Sequence, residues 1–285
     1  MFFMRKWMVF ILCIVFCLAI SGCGVNKNNL PGEILINNRA DEITTYLPEK
    51  NEFKSILKGN FNNELSFNAD KTKILGYKSI NEKEGDYTVI FEYDMVNDKI
   101  SSVMEYDRSL GTGGKECIKY VSSSNKISFI ANDKLYIFDR DKGEKTAILN
   151  EVDDQYSWDT NGEKILYADK DEKIYMYDMI KKEKQFICEG IHPVLSNNNE
   201  YIAYMAKDHI LVVREIKTKK EWRGIDLLRD QRFVFSPDDK YLALAKQEYS
   251  IANNPYTIMY AVDYRKGKVT QLFKGDYSSY GFDWK

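Results

Sequence analysis

The side chains that could do chemistry in this chain are few. It holds two histidines and five cysteines among 285 residues, with 43 carboxylates set against 41 lysines and arginines. His192 stands beside Pro193, and His209 follows Asp208 in a stretch that reads as a hairpin turn. A zinc site needs clustered ligands. Neither histidine has a partner near it in sequence, so both read as structural or exposed, and no cofactor is expected. Asp153, Asp154 and Asp159 form a dense acidic group, but carboxylates from one segment alone do not make an acid–base site. The run Asp139-Arg140-Asp141-Lys142-Gly143-Glu144 begins like a calcium loop and lacks the longer spaced set that ends in a bidentate glutamate. Asp94, Asp139, Asp178 and Asp263 recur at one place of a repeat, where aspartate suits tight turns. Ser109 to Lys115 is glycine-rich without phosphate-loop spacing, and no G-x-S-x-G elbow is present.

These residues must be carried by a globular scaffold. The composition is 44% hydrophobic and 29% charged with a net charge of −2, which excludes a disordered chain. The balance of charge gives no footprint for nucleic acid, which is not expected as a partner.

Helical periodicity is almost absent after residue 30. One line recurs about every 40 residues: an aromatic or aliphatic anchor, a polar turn, then an apolar strand. Its copies are LSFNADKTKILGY around Phe67, VSSSNKISFIA from Val121, WDTNGEKILYA from Trp158, LSNNNEYIAYM from Leu195 and FSPDDKYLALA from Phe235. A second line follows each copy: a strand, a charged turn and another strand, as in LYIFDRDKGEKTAIL and IYMYDMIKKEKQFI. Four antiparallel strands per repeat of that length is the unit of a β-propeller.

The FSPDDKYLALA and WDTNGEKILYA lines resemble the repeats of TolB-like and WD-repeat-like propellers. The resemblance covers nearly all of the chain after residue 30 and implies architecture rather than activity. A sixth anchor, Trp284, ends the sequence, while the first repeat lacks the strand before its anchor. The expected fold is therefore all-β: a six-bladed propeller over residues 32–285, closed by the C-terminal strand pairing beside Ile34-Leu35-Ile36. In that scheme Cys117 lies on an inner strand and Cys188 on an outer one, too far apart for a disulfide.

Three segments exceed the minimal repeat: Ser79 to Asp86, Tyr106 to Glu116, and Gln247 to Tyr256. Topology puts all three on one face of the ring, and such insertions gather on binding faces. Tyr87, Tyr106, Arg108, Tyr249, Asn253, Asn254 and Tyr256 are the candidate ligand-binding residues. Tyrosines in strand patterns, such as Tyr136, Tyr175 and Tyr177, read as core.

The N-terminus supplies an address. Arg5 and Lys6 precede an apolar run from Trp7 to Ile20 that is too short to span a bilayer as a helix. The following Ile20-Ser21-Gly22-Cys23 looks like a bacterial lipobox. It implies a signal peptide over residues 1–22, lipid on Cys23, and a short tether over residues 23–31 that reaches at most about 30 Å. The expected location is the cell membrane, lipid-anchored on the extracytoplasmic side. Without a recognisable catalytic motif, the function expected is a non-catalytic binding or scaffold propeller with a protein or glycan partner in the envelope. The alternative is an envelope enzyme of hydrolase or lactonase type with acidic residues at the channel mouth.

Overall fold

A computed structural model of the chain describes residues 26–38, 42–59, 61, 65–82, 85–107, 117–122, 124–226, 232–250, 252–277 and 281–285. The leader, Cys23, Arg108 and the glycine-rich loop 109–115 lie outside the described residues.

The strands follow the four-strand repeat. Blade one holds β1 (Ile34–Asn38), β2 (Glu42–Leu47) and β3 (Glu52–Lys58). Blade two is β4 (Leu65–Phe67), β5 (Lys73–Glu82), β6 (Gly85–Asp94) and β7 (Lys99–Asp107). Blade three is β8 (Ile118–Tyr120), β9 (Lys126–Ala131), β10 (Lys134–Asp139) and β11 (Glu144–Asn150). Blade four is β12 (Val152–Trp158), β13 (Lys164–Asp169), β14 (Lys173–Asp178) and β15 (Glu183–Glu189). Blade five is β16 (Ile191–Leu195), β17 (Tyr201–Met205), β18 (Ile210–Glu215) and β19 (Glu221–Asp226). Blade six is β20 (Arg232–Phe235), β21 (Leu242–Tyr249), β22 (Pro255–Asp263) and β23 (Lys268–Gly275), after which β24 (Asp283–Trp284) returns to blade one. The result is six four-stranded antiparallel sheets, the first ordered β24-β1-β2-β3.

Burial explains the order within a blade. Second strands such as Lys164–Asp169 are apolar on both faces because each packs between two neighbouring blades. Outer strands β11 and β15 open with Glu-Lys and are largely exposed, a charged edge that discourages pairing with another sheet.

The turns between first and second strands share one geometry. Asp159 N–H bonds to the Lys164 carbonyl, Ser196 to Tyr201 and Ser236 to Tyr241, each at 2.9–3.0 Å. Lys71, Gly162, Asn199 and Asp239 take positive φ at the same turn position. Val121 N–H bonds in this way to Lys126. Tyr120, not Val121, is therefore the third anchor. The sequence register slipped by one residue because Val121 is apolar where the other copies carry Ser, Asp or Asn. The recurring aspartates are turn residues as expected: Asp94, Asp139 and Asp178 each accept two backbone N–H groups of the next turn, and Asp263 accepts one. Cys117 and Cys188 form no disulfide.

Ring closure is directly visible. Ile34 pairs with Trp284 and Leu35 with Asp283, and Glu33 and Lys285 exchange backbone hydrogen bonds of 2.7 and 3.1 Å. Trp284 is 1% exposed, and its indole N–H donates to the Pro31 carbonyl. The segment just before β1 is not loose: Leu30 is buried in the same cluster, and Lys27 Nζ donates to the Leu272 carbonyl.

Blades two and three are joined by a buried carboxylate. Glu92 accepts from Arg140 at 2.7 and 3.2 Å, from Lys73 at 3.0 Å and from the Tyr120 hydroxyl at 3.1 Å. Burial alone would raise its pKa, but the hydrogen bonds from Arg140 and Lys73 outweigh it and hold the carboxyl below its usual range. Burial, followed by the Glu92 charge, pushes the Tyr120 hydroxyl well up. A depressed carboxyl stabilises the fold above its unfolded pKa and loses that contribution as pH falls through the folded one. Arg140→Met should cost about 1–3 kcal/mol at pH 7. In denaturant melts that difference should begin to shrink as pH falls through the usual carboxylate range, where the unfolded chain protonates, and vanish once Glu92 protonates in the fold as well.

Candidate functional site

The channel down the ring axis offers two ends. One opens among the turns that follow the inner strands. There a cavity of about 380 Å³ is lined by the anchors, by Ser66, Lys119 and Ser157, and by turn residues such as Thr160 and Asn197. Its polar groups are largely committed to ties between blades and to the turns within them. Asp283 Oδ2 accepts the Phe67 N–H, Asp239 accepts the backbone N–H groups of Asn197 and Asn198, and Asp159 accepts those of Glu163 and Lys164.

The other end lies where the inner strands begin, on the face that carries the insertions. Tyr156 and Trp158 point from β12 to Ser128 of blade three, at 2.8 Å each. Alternation along the strand turns Ser157 and Gln155 the other way, and Ser157 lines the channel. Gln155, His192 and Arg232 occupy one place in three successive inner strands, each three residues before its anchor. All three are buried, at 7%, 3% and 9% exposure.

An Arg232 guanidinium nitrogen lies 3.3 Å from His192 Nε2. Arginine can only donate, so this imidazole nitrogen accepts and carries no proton. His192 takes a left-handed φ of 55°, and the pairing of β16 with β17 shifts register across it, between Ile191 and Val194. Backbone bent at one buried polar residue marks places where a side chain is re-aimed. Gln155 lies within a similar irregularity in β12, between Val152 and Tyr156, and its Oε1 has no hydrogen-bond partner among the described residues. A buried acceptor left open in this way is costly unless something else donates to it.

The residues proposed from sequence are spread around this face. Tyr87, half-buried, lies near the start of β6 opposite Asp107, and Tyr106 in β7 pairs with Thr88. Tyr249 is exposed at the end of β21, while Asn253, at a left-handed φ, and Asn254 form the exposed turn beyond it. The Tyr256 hydroxyl donates to Glu248 at 2.9 Å, with the Lys274 ammonium 3.9 Å from its ring centroid. Blade one separates the blade-two pair from the blade-six group. Asp153 belongs to the start of β12 and Asp159 lies past its end, so the acidic group of the sequence is split between the two faces. Of the two histidines, His209 is an exposed turn residue, whereas His192 belongs to the buried channel pair.

No protein-family model matches the chain, and no curated protein matches it. Solved structures do. One is an oligogalacturonate lyase in complex with manganese, 12% identical with a TM-score of 0.56, covering 80% of this chain and 73% of that one. Another is the oligogalacturonate lyase of Vibrio parahaemolyticus, 12% identical with a TM-score of 0.52, covering 80% and 74%. At that identity the likeness is one of fold. It nevertheless corrects the expectation of a non-catalytic scaffold. That reading rested on the lack of catalytic motifs in the sequence, and these propellers of the same fold are enzymes.

The donor set at the channel does not fit the metal of the first of these structures. Among the described residues no three or more His, Cys, Asp or Glu side chains are grouped to hold a metal ion. At the end where the inner strands begin, the buried polar set is one imidazole, one carboxamide and one guanidinium.

Proposed function

We propose that the chain is a propeller enzyme that acts on a carboxylate-bearing saccharide at the insertion-face end of its channel. The observation that carries this reading is the buried pair of Arg232 and His192. The guanidinium supplies a fixed positive charge for a substrate carboxylate. The imidazole Nε2 becomes the nitrogen where a proton can be taken once the guanidinium turns from it to the substrate carboxylate. Gln155 supplies an acceptor for a substrate hydroxyl. A base beside a neutralised carboxylate suits elimination: it removes the proton on the carbon next to the carboxylate, and the glycosidic bond at the following carbon breaks. Tyr87, Tyr249, Asn253, Asn254 and Tyr256, together with Tyr106 and Arg108 from the sequence reading, are proposed to contact the rest of the saccharide. The likeness to oligogalacturonate lyases supports the substrate class, although fold alone does not assign chemistry. The reading is tested by incubating the chain lacking residues 1–22 with oligogalacturonates and following near-ultraviolet absorbance. Unsaturated products are expected, and no product from any uronate oligosaccharide would refute the assignment.

The enzyme is further proposed to act outside the cytoplasm, with TolB-like repeats held at the membrane by lipid on Cys23. Support comes from Ile20-Ser21-Gly22-Cys23 and the apolar leader before it. Cys23→Ser should leave the propeller folded and abolish incorporation of radioactive fatty acid. Equal label in both proteins would remove the anchor.

A further inference from the structure

We propose that the groove between the outer parts of blades five and six is a second saccharide site, one that holds a uronate residue away from the channel. The groove encloses about 400 Å³ and is lined by Tyr201, Val213, Glu215, Lys220, Glu221, Trp222, Tyr264 and Arg265. That volume lies within the range of small-ligand sites. The choice of a uronate rests on the function proposed above; the chemistry of the groove does not.

Trp222 is the platform. Its ring lies against the backbone of Gly224, where an added Cβ would fall 2.2 Å from the ring. The ring is thus fixed by its own strand, and its indole N–H has no hydrogen-bond partner among the described residues. Equivalent positions in blades three and four carry Lys145 and Lys184, each laid over a tyrosine at 5.1 and 4.7 Å. Blades one, two and six carry the apolar Phe53, Ile100 and Val269 there, and Trp222 packs part of its ring against the core between blades five and six while the rest faces the groove.

Arg265 is the charge. Its guanidinium carbon lies 5.2 Å from the Tyr201 ring centroid and 4.9 Å from that of Tyr264. The two rings hold the cation in place, and no described carboxylate forms an ion pair with it. Glu221 is already engaged by Arg214 at 3.7 Å, Arg223 at 3.8 Å and the Tyr204 hydroxyl at 3.2 Å. The Thr218 hydroxyl donates to Glu215, so the groove presents an aromatic face, an indole donor, a lysine and a guanidinium that neither of its two glutamates pairs with. A sugar ring stacked on Trp222 would place a hydroxyl at the indole N–H and a carboxylate at Arg265.

The test uses a protein with the channel pair disabled, His192→Asn with Arg232→Gln, titrated with trigalacturonate and followed by ligand-observed NMR. Binding should persist there and weaken at least about tenfold on adding Arg265→Gln or Trp222→Ala. Methyl-esterified trigalacturonate should bind as weakly as the Arg265→Gln protein binds the free acid. Arg265 is exposed, so its variant reports on the groove even where Trp222→Ala fails to fold. Absence of binding to the channel-disabled protein, or binding indifferent to Arg265→Gln, overturns the proposal. Turnover by the unaltered chain without groove-dependent binding defeats the groove alone. Groove-dependent binding without turnover defeats the channel assignment alone.

Discussion

Removing residues 279–285 should leave a chain that no longer melts as a native protein. The deletion takes away both residues of β24, and with them the ladder partners of Ile34 and Leu35. It also removes Trp284 and Phe282, which are 1% and 5% exposed in the cluster that joins blades one and six. A buried aromatic costs about 3–5 kcal/mol when truncated, and a domain of ordinary stability has about 5–15 kcal/mol in all. Two aromatics plus the lost tie from Asp283 to Phe67 consume most of that. Trp284→Ala alone should lower the thermal midpoint by several degrees while the transition stays cooperative. The full deletion should abolish the transition or send the protein into aggregates through the bare edge of β1. A melting curve unchanged by the deletion would mean that blade one is closed without β24.

The second large effect is catalytic. His192→Asn should reduce kcat/KM on a uronate oligosaccharide by about 10²–10⁴, the usual contribution of a positioned base. Asparagine is the variant of choice because it tolerates the left-handed φ at this position, whereas alanine would add backbone strain to the loss of the imidazole. Arg232→Gln should act mainly on KM if the guanidinium binds the carboxylate equally in ground and transition states, and on kcat if the charge there grows during reaction. Both proteins should melt close to the unaltered chain. A folded His192→Asn protein with unchanged turnover would move the chemistry to the hairpin ends that carry Tyr87 and Tyr256.

The ring was legible because its signal is repeated. Anchor, turn and second strand recur with the same residue classes, so six imperfect copies outvote any one of them. The slip at Val121 shows the limit: an apolar residue where the other copies carry a polar one moves the register by a place, and only the hydrogen bond from Val121 to Lys126 restores it. The channel pair was harder to see. Gln155, His192 and Arg232 do share an offset from their anchors, and extending the alignment three residues upstream would have collected them. Gln155 and His192 sit at register shifts in β12 and β16, and the contact of His192 with Arg232 is made across two blades, which no alternation of residue types records. His192 therefore read as an isolated histidine beside a proline. Asp153 and Asp159, set aside in the sequence as carboxylates of one segment, indeed end on opposite faces, because distance along an inner strand is depth through the ring.

The pairing of Ile34 with Trp284 has a kinetic side. The two residues that complete blade one lie at opposite ends of the ordered chain, so loop closure between them carries an entropic cost of about 5 kcal/mol by the logarithmic rule, before any constant. Contacts of such separation form late and slowly. Until residue 284 has emerged, the growing chain can assemble blades two to six, but blade one must wait with β1 unpaired on its inner side. The vulnerable species during biosynthesis is thus a nearly complete propeller with one open seam, the kind of intermediate that domain-swaps or aggregates. For a chain exported unfolded, the seam would close only after the last strand has crossed, so folding would be timed by the end of translocation rather than by its beginning.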